Sequence, residues 1–140
     1  GDADLCYLVH TDRERAVAAE LRRTFPALRV CRYPASRLLW VYGQLDLVVS
    51  MMLHSTLFAF AAGVPVVNVA YDEKNTAFFA DLGRPGRSLP VATATADAVL
   101  AACREALAAP RDAEAALRER YATATQGFVR DFATLLGHRA

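Results

Sequence analysis

The sequence predicts an α/β domain, one open parallel sheet of about five strands in three layers, with residues 1–140 forming a single domain. Three observations carry that prediction. Short apolar runs rich in strand formers alternate with helix-like segments along the chain. Two of the runs, "LDLVVS" and "VPVVNVA", are almost wholly apolar, as parallel strands covered on both faces are. The intervening helical segments stop at Pro26, Gly63, Gly83 and Pro110, residues that end helices. Connections between parallel strands are expected to be right-handed.

The elements follow in order. "DLCYLVH", residues 4–10, is the first strand. It gives way to "TDRE", where Thr11 and Glu14 have the spacing of a capping box, and a helix is expected over 12–25. Its expected buried face is Ala16, Ala19, Leu21 and Phe25, and Pro26 ends it. "LRVCRY", 28–33, is the second strand, a short helix covers 36–42, and "LDLVVS", 45–50, is the third strand. A helix over 54–62 leads through Gly63 and Pro65 to the fourth strand, 64–70. "DEKNTAFFADLG" makes the next helix, with Asp72 as N-cap and Gly83 past its end. "RPGRS" is a loop, "LPVAT" the last strand, and "ADAVLAACREALAA" a helix. From 112 to 136, Leu117, Tyr121, Ala124, Phe128, Phe132 and Leu135 recur at steps of four and three, which describes a long amphipathic helix packing back on the sheet.

Several function classes are excluded by composition. A net charge of +1, with acids and bases interleaved, offers no basic stripe for a nucleic acid or an anionic membrane. Leu47 to Ala70 carries no charge and is long enough to span a bilayer, but Gly63 and Pro65 break it, so strand, helix and strand is the better reading. Cys6, Cys31 and Cys103 show no ligand spacing and read as buried thiols of a reducing cytosol. No secretion signal opens the chain. There is no G-x-S-x-G elbow, no G-x-G-x-x-G and no P-loop, and neither Cys6 nor Cys31 begins a helix. His138, in the terminal tail, has no expected role.

Ligands of open parallel sheets bind beyond the carboxyl ends of the strands. That rule selects His10, Thr11 and Asp12 after the first strand, Ser50 to Ser55 after the third, and Tyr71 to Lys74 after the fourth. His54 opens a helix, where unpaired N–H groups favour an anion, and with Ser50, Ser55 and Thr56 it suits a phosphate cradle. It equally suits a buried histidine bonded to a carbonyl, with the serines as caps. Lys74 stands in a first helical turn against the dipole, which points either to a bound anion or to a partner in Glu73 or Asp81. Asp72 serves as an N-cap, Tyr71 closes the sheet edge, and Asp12 is usual in a first turn; each also lies on the expected rim.

"DLVVSMMLHSTLFAFAAGVPVVNVAYDEKNTAFFADLG", residues 46–83, resembles the C-terminal signature of the polysaccharide pyruvyl transferase family: an Asp-bearing strand, Arg-Leu-His, a buried helix, Gly-Val-Pro, a strand and Tyr-Asp-x-Lys. "HTDRE" resembles the corner after the first strand. The resemblance implies the C-terminal, donor-side, Rossmann-like half of a glycosyltransferase-B-like fold, with strand order 2-1-3-4-5. It implies a cytoplasmic enzyme of bacterial exopolysaccharide biosynthesis that moves pyruvate from phosphoenolpyruvate, or handles another phosphorylated donor. The acceptor would be a sugar held by an N-terminal domain that this chain lacks. By the same resemblance His54 is the donor-binding, acid–base histidine, and Lys74 and Ser50 are donor-binding. No cofactor and no metal are implied. At one position the pattern departs: Met52 stands where the family has arginine, removing a bidentate anion clamp. An alternative expectation is therefore a module that binds a phosphorylated or nucleotide-sugar ligand, or a protein, without chemistry.

Overall fold

A computed structural model describes residues 3–110, 115–123 and 125–127. Its elements run β1 (Cys6–Leu8), α1 (Glu14–Thr24), β2 (Arg29–Cys31), α2 (Leu38–Tyr42), β3 (Val48–Ser50), α3 (Leu53–Ala61), β4 (Val66–Ala70), α4 (Glu73–Asp81), β5 (Ser88–Pro90) and α5 (Ala96–Ala108). Every strand pair is parallel, so the α/β class holds. The chain divides into two compact units, Gly1–Val41 and Tyr42–Ala140, and the pairings form two sheets, β1-β2 and β3-β4-β5. Of the expected order 2-1-3-4-5, the pairings show the 2-1 part and the 3-4-5 part, each by itself.

The first unit is a β1–α1–β2 crossover in which Cys6 faces Arg29, Tyr7 faces Val30 and Leu8 faces Cys31. α1 begins at Glu14, two residues later than the capping box suggests. Only the acidic half of that box forms: the Glu14 carboxylate accepts from the N–H of His10 at 2.6 Å and of Thr11 at 3.4 Å. The inward line of α1 is Glu14, Ala18 and Leu21, at steps of four and three. Ala16, Ala19 and Phe25, expected inside, are exposed, whereas Leu21 is half-buried as expected. The cysteines are half-buried rather than buried. Burial, followed by a hydrogen bond with Cys31 and the Cys31 charge, pushes the Cys6 thiol up to about 11, while Arg29 works against the rise.

The second unit is organised by β4. Val67 packs with Ala102 and Ala106 of α5, joined by Leu47, Leu89 and Cys103. Its neighbour Asn68 reaches Thr56 of α3 instead. Adjacent residues of a strand point to opposite faces, so α5 and α3 lie on opposite sides of the sheet and the unit has three layers. β3 is an edge strand here, and Val49 is 52% exposed, so the expectation of two covered faces holds for β4 but not for β3. The uncharged stretch resolves into β3, α3 and β4, and among the described residues no helix is long and apolar enough to cross a membrane.

α3 and α4 pack through aromatic rings: Phe60 meets Phe78 edge-on at 5.6 Å, and Tyr121 meets Phe60 at 5.6 Å and Phe78 at 5.8 Å. Tyr121 belongs to the helical residues 115–123, so that segment rests on the helical layer where direct packing on the sheet was expected. Ala124, Phe128, Phe132, Leu135 and His138 lie outside the described residues. Gly63 ends α3 with φ +73°, and Arg118 donates to the Ala61 carbonyl at 3.5 Å, putting a cation at the negative end of α3. Gly83 ends α4 in the same way, with φ +68°.

A Cβ at Gly63 would carry both the left-handed backbone and a contact with the Arg118 guanidinium at 2.5 Å. The guanidinium can swing aside; the backbone cannot. Gly63→Ala is expected to lose about 1–2 kcal/mol in urea denaturation, and Gly86→Ala, where a Cβ meets nothing within 4 Å, far less.

Candidate functional site

Parallel pairing of β3 with β4 brings the starts of α3 and α4 to one edge of the sheet. The loop between β3 and α3 is fixed there by its own carbonyls. Asn68 donates to the Ser50 carbonyl at 2.8 Å and to the Thr56 hydroxyl at 3.3 Å. Asn75, in the first turn of α4, donates to the Met51 carbonyl at 3.2 Å. The Ser50 hydroxyl donates to the Met52 carbonyl at 3.0 Å and accepts from the Met52 N–H at 2.9 Å. Both asparagines are fully buried, and both leave their Oδ1 without a partner. Asn75 is thus the direct link between the two helix starts.

The two N-termini differ in charge. α4 is capped by Asp72, whose carboxylate accepts from the Asn75 N–H at 3.1 Å. α3 has Met52 at its N-cap, makes no side-chain cap and has no acid in its first turn. The donors that α3 offers at its start are therefore those of Leu53 and His54, since the Thr56 N–H already bonds the Met52 carbonyl. His54 is exposed beside them. Lys74 is exposed too, and among the described residues it forms no ion pair with Glu73, Asp81 or any other acid. Lys74, a cation against the α4 dipole, and the uncapped N–H groups of α3 start from the same edge of the sheet, an arrangement suited to an anion.

The remaining residues of the sequence reading fall as follows. Ser50 and Thr56 are buried, and their hydroxyls serve the loop, so the expected cradle of hydroxyls is not presented at the rim. Ser55 is buried as well, while Tyr71 is 55% exposed directly after β4. His10 and Asp12 belong to the first unit. The Asp12 carboxylate accepts from Arg32 at 2.9 Å and from Arg15 at 3.0 Å, an exposed pair of ion pairs. Asn68 and Asn75 escaped the sequence reading. Asn68 had a signal, an amide inside the apolar run "VVNVA"; Asn75 had none, since an asparagine near a helix start is ordinary.

Residues 9–73 match the family model described as polysaccharide pyruvyl transferase, a family-level link that runs from Val9 through the β3–α3 loop to the first residue of α4. Within it lie His10, Asp12, Ser50, His54, Ser55, Tyr71 and Asp72, and it stops one residue short of Lys74. The match occupies roughly the N-terminal half of the chain, which corrects the expectation that the chain is the family's C-terminal domain. The comparison with curated proteins finds no match.

Asn75→Ala removes the donor that holds the Met51 carbonyl and is expected to cost about 1–3 kcal/mol. Asp72→Asn keeps a good cap and is expected to stay within about 0.5 kcal/mol of wild type, whereas Asp72→Ala loses about 1 kcal/mol. Urea denaturation of the three variants checks this order.

Proposed function

We propose that the chain binds the phosphorylated donor of a pyruvyl transferase-related protein, phosphoenolpyruvate, at the start of α3, and that it transfers no pyruvate by itself. The observation that carries this reading is the uncapped N-terminus of α3 at the same sheet edge as Lys74, which has no ion-pair partner among the described residues, inside and adjoining the family match. Ketal formation adds a proton to the methylene carbon of phosphoenolpyruvate, joins the neighbouring phosphate-bearing carbon to two sugar oxygens and breaks its bond to phosphate. Of the two protons the sugar hydroxyls lose, one balances that on the new methyl group and one leaves with the phosphate. A site for it needs donors for the phosphate and carboxylate and a group that moves a proton. The α3 N–H groups and the Lys74 ammonium take the first role, and His54 the second. Tyr71 and Asp72 border the donor, while Ser50 and Ser55 act by shaping the loop. His10 and Asp12 are proposed as further donor-side residues of the first unit. The acceptor is a sugar hydroxyl, and the work is cytoplasmic, where phosphoenolpyruvate is made.

Met52 favours a second reading, binding without chemistry. Its side chain is 41% exposed at the N-cap of α3, where the resemblance has arginine, and a thioether donates no hydrogen bond to an anion. The ligand would then be any phosphorylated compound or nucleotide sugar, or a protein partner. Loss of one transition-state anion contact costs on the order of 100- to 1,000-fold in rate, so ketal formation by the chain alone is expected to be undetectable. Its detection with a sugar acceptor would overturn that part.

Phosphate is the simplest probe of the site. At about ten times its Kd it should stabilise the fold by roughly 1.4 kcal/mol, read as a rise in melting temperature at fixed ionic strength. Lys74→Ala and His54→Ala should fold normally and lose most of that rise. An equal rise in the variants and in wild type would mean that the anion binds elsewhere or not at all.

A further inference from the structure

Cys6 and Cys31 are far apart in sequence and adjacent in the fold. The register of β1 on β2 sets Cys6 beside Arg29 and Leu8 beside Cys31. Alternate positions of a strand share a face, so Cys6, Leu8, Arg29 and Cys31 project to the same side of this two-stranded sheet. The thiols are diagonal neighbours on that face, free of disulfide bonds and half-buried.

The spacing decides what such a pair can hold. Strands about 4.8 Å apart and a rise of about 6.6 Å over two residues put diagonal Cα atoms roughly 8 Å apart. A disulfide tolerates no more than about 6.8 Å and brings its sulfurs to about 2.05 Å. Two metal–sulfur bonds of about 2.3 Å span about 4.6 Å between sulfurs, so a bridging cation fits this diagonal where a covalent S–S bond does not. Structural zinc and iron–sulfur clusters call for four ligands. Among the described residues no group of three or more His, Cys, Asp and Glu is placed to hold a metal ion. Thiolate ligands select Cu(I), a soft cation that two of them can satisfy. Two thiolates around one monovalent cation carry a single negative charge, and the Arg29 guanidinium stands beside Cys6 to balance it. Its other partner, Asp4, is an exposed carboxylate at 3.4 Å.

We propose that Cys6 and Cys31 form a two-thiolate site for Cu(I), with Arg29 as the charge-balancing neighbour. Binding exchanges the two S–H protons for one Cu(I); two protons leave and no electron is transferred.

The test is a titration of the reduced chain with Cu(I) against a coloured Cu(I) chelator. Wild type and Cys103→Ser should each take up one Cu(I) per chain, with two sulfurs per copper by X-ray absorption. Cys6→Ser and Cys31→Ser should bind on the order of 100-fold more weakly, with unchanged circular dichroism. A readout on wild type covers the case in which a serine variant fails to fold: Cu(I) should shield Cys6 and Cys31, but not Cys103, from alkylation. Retention of Cu(I) by Cys6→Ser or Cys31→Ser, equal alkylation of all three thiols, or closure of a Cys6–Cys31 disulfide by oxidised glutathione would overturn the proposal.

Discussion

Asn68 is the constraint on which the second unit depends. It sits fully buried in the middle of β4, in a strand otherwise made of valine and alanine, and its amide binds both the last carbonyl of β3 and the Thr56 hydroxyl of α3. A buried amide of this kind contributes little net stability and costs a good deal when a partner is removed. What it supplies is position. With the Ser50 carbonyl fixed, the chain turns sharply enough for Ser50 to close on Met52, and α3 starts with its donors at the sheet edge. Asn75 repeats the device one strand further on and ties the Met51 carbonyl to α4.

Charge then distinguishes the two helix starts that this frame aligns. Asp72 caps α4 and supplies a negative charge there, whereas Met52 leaves α3 uncapped, so of the two helix starts α3 is the one suited to an anion. Lys74 stands on the acidic helix but finds no carboxylate among the described residues, which leaves its ammonium to the solvent or to a ligand. The absence of a guanidinium at position 52 lowers the affinity such a site can reach, since one ammonium and a few N–H groups replace a bidentate clamp.

Most elements were legible because local chemistry alone dictates them. Gly63 and Pro65 cut the uncharged stretch where α3 ends and β4 begins, Asp72 caps α4, and Thr95 caps α5 by accepting from the Ala98 N–H at 3.2 Å. Features set by tertiary partners were not legible. The face that α1 turns inward, Glu14, Ala18 and Leu21, is set by what the helix packs against, and no periodicity of Ala16, Ala19 and Phe25 reveals it. The proximity of Cys6 to Cys31 depends on strand register, which spacing cannot give. At the site, His54, Tyr71 and Lys74 stood out through their positions after strands, whereas the roles of Ser50 and Thr56 inverted: hydroxyls expected to face a ligand instead hold the loop.

The central claim is that the open α3 N-terminus and Lys74 receive an anion. Backbone amide shifts during an NMR titration with phosphoenolpyruvate, and with phosphate for comparison, test it most directly. The amides of Leu53 and His54 and that of Lys74 should move most, with phosphoenolpyruvate moving them at lower concentration than phosphate. Shifts confined to other elements, or none at either helix start, would contradict the account.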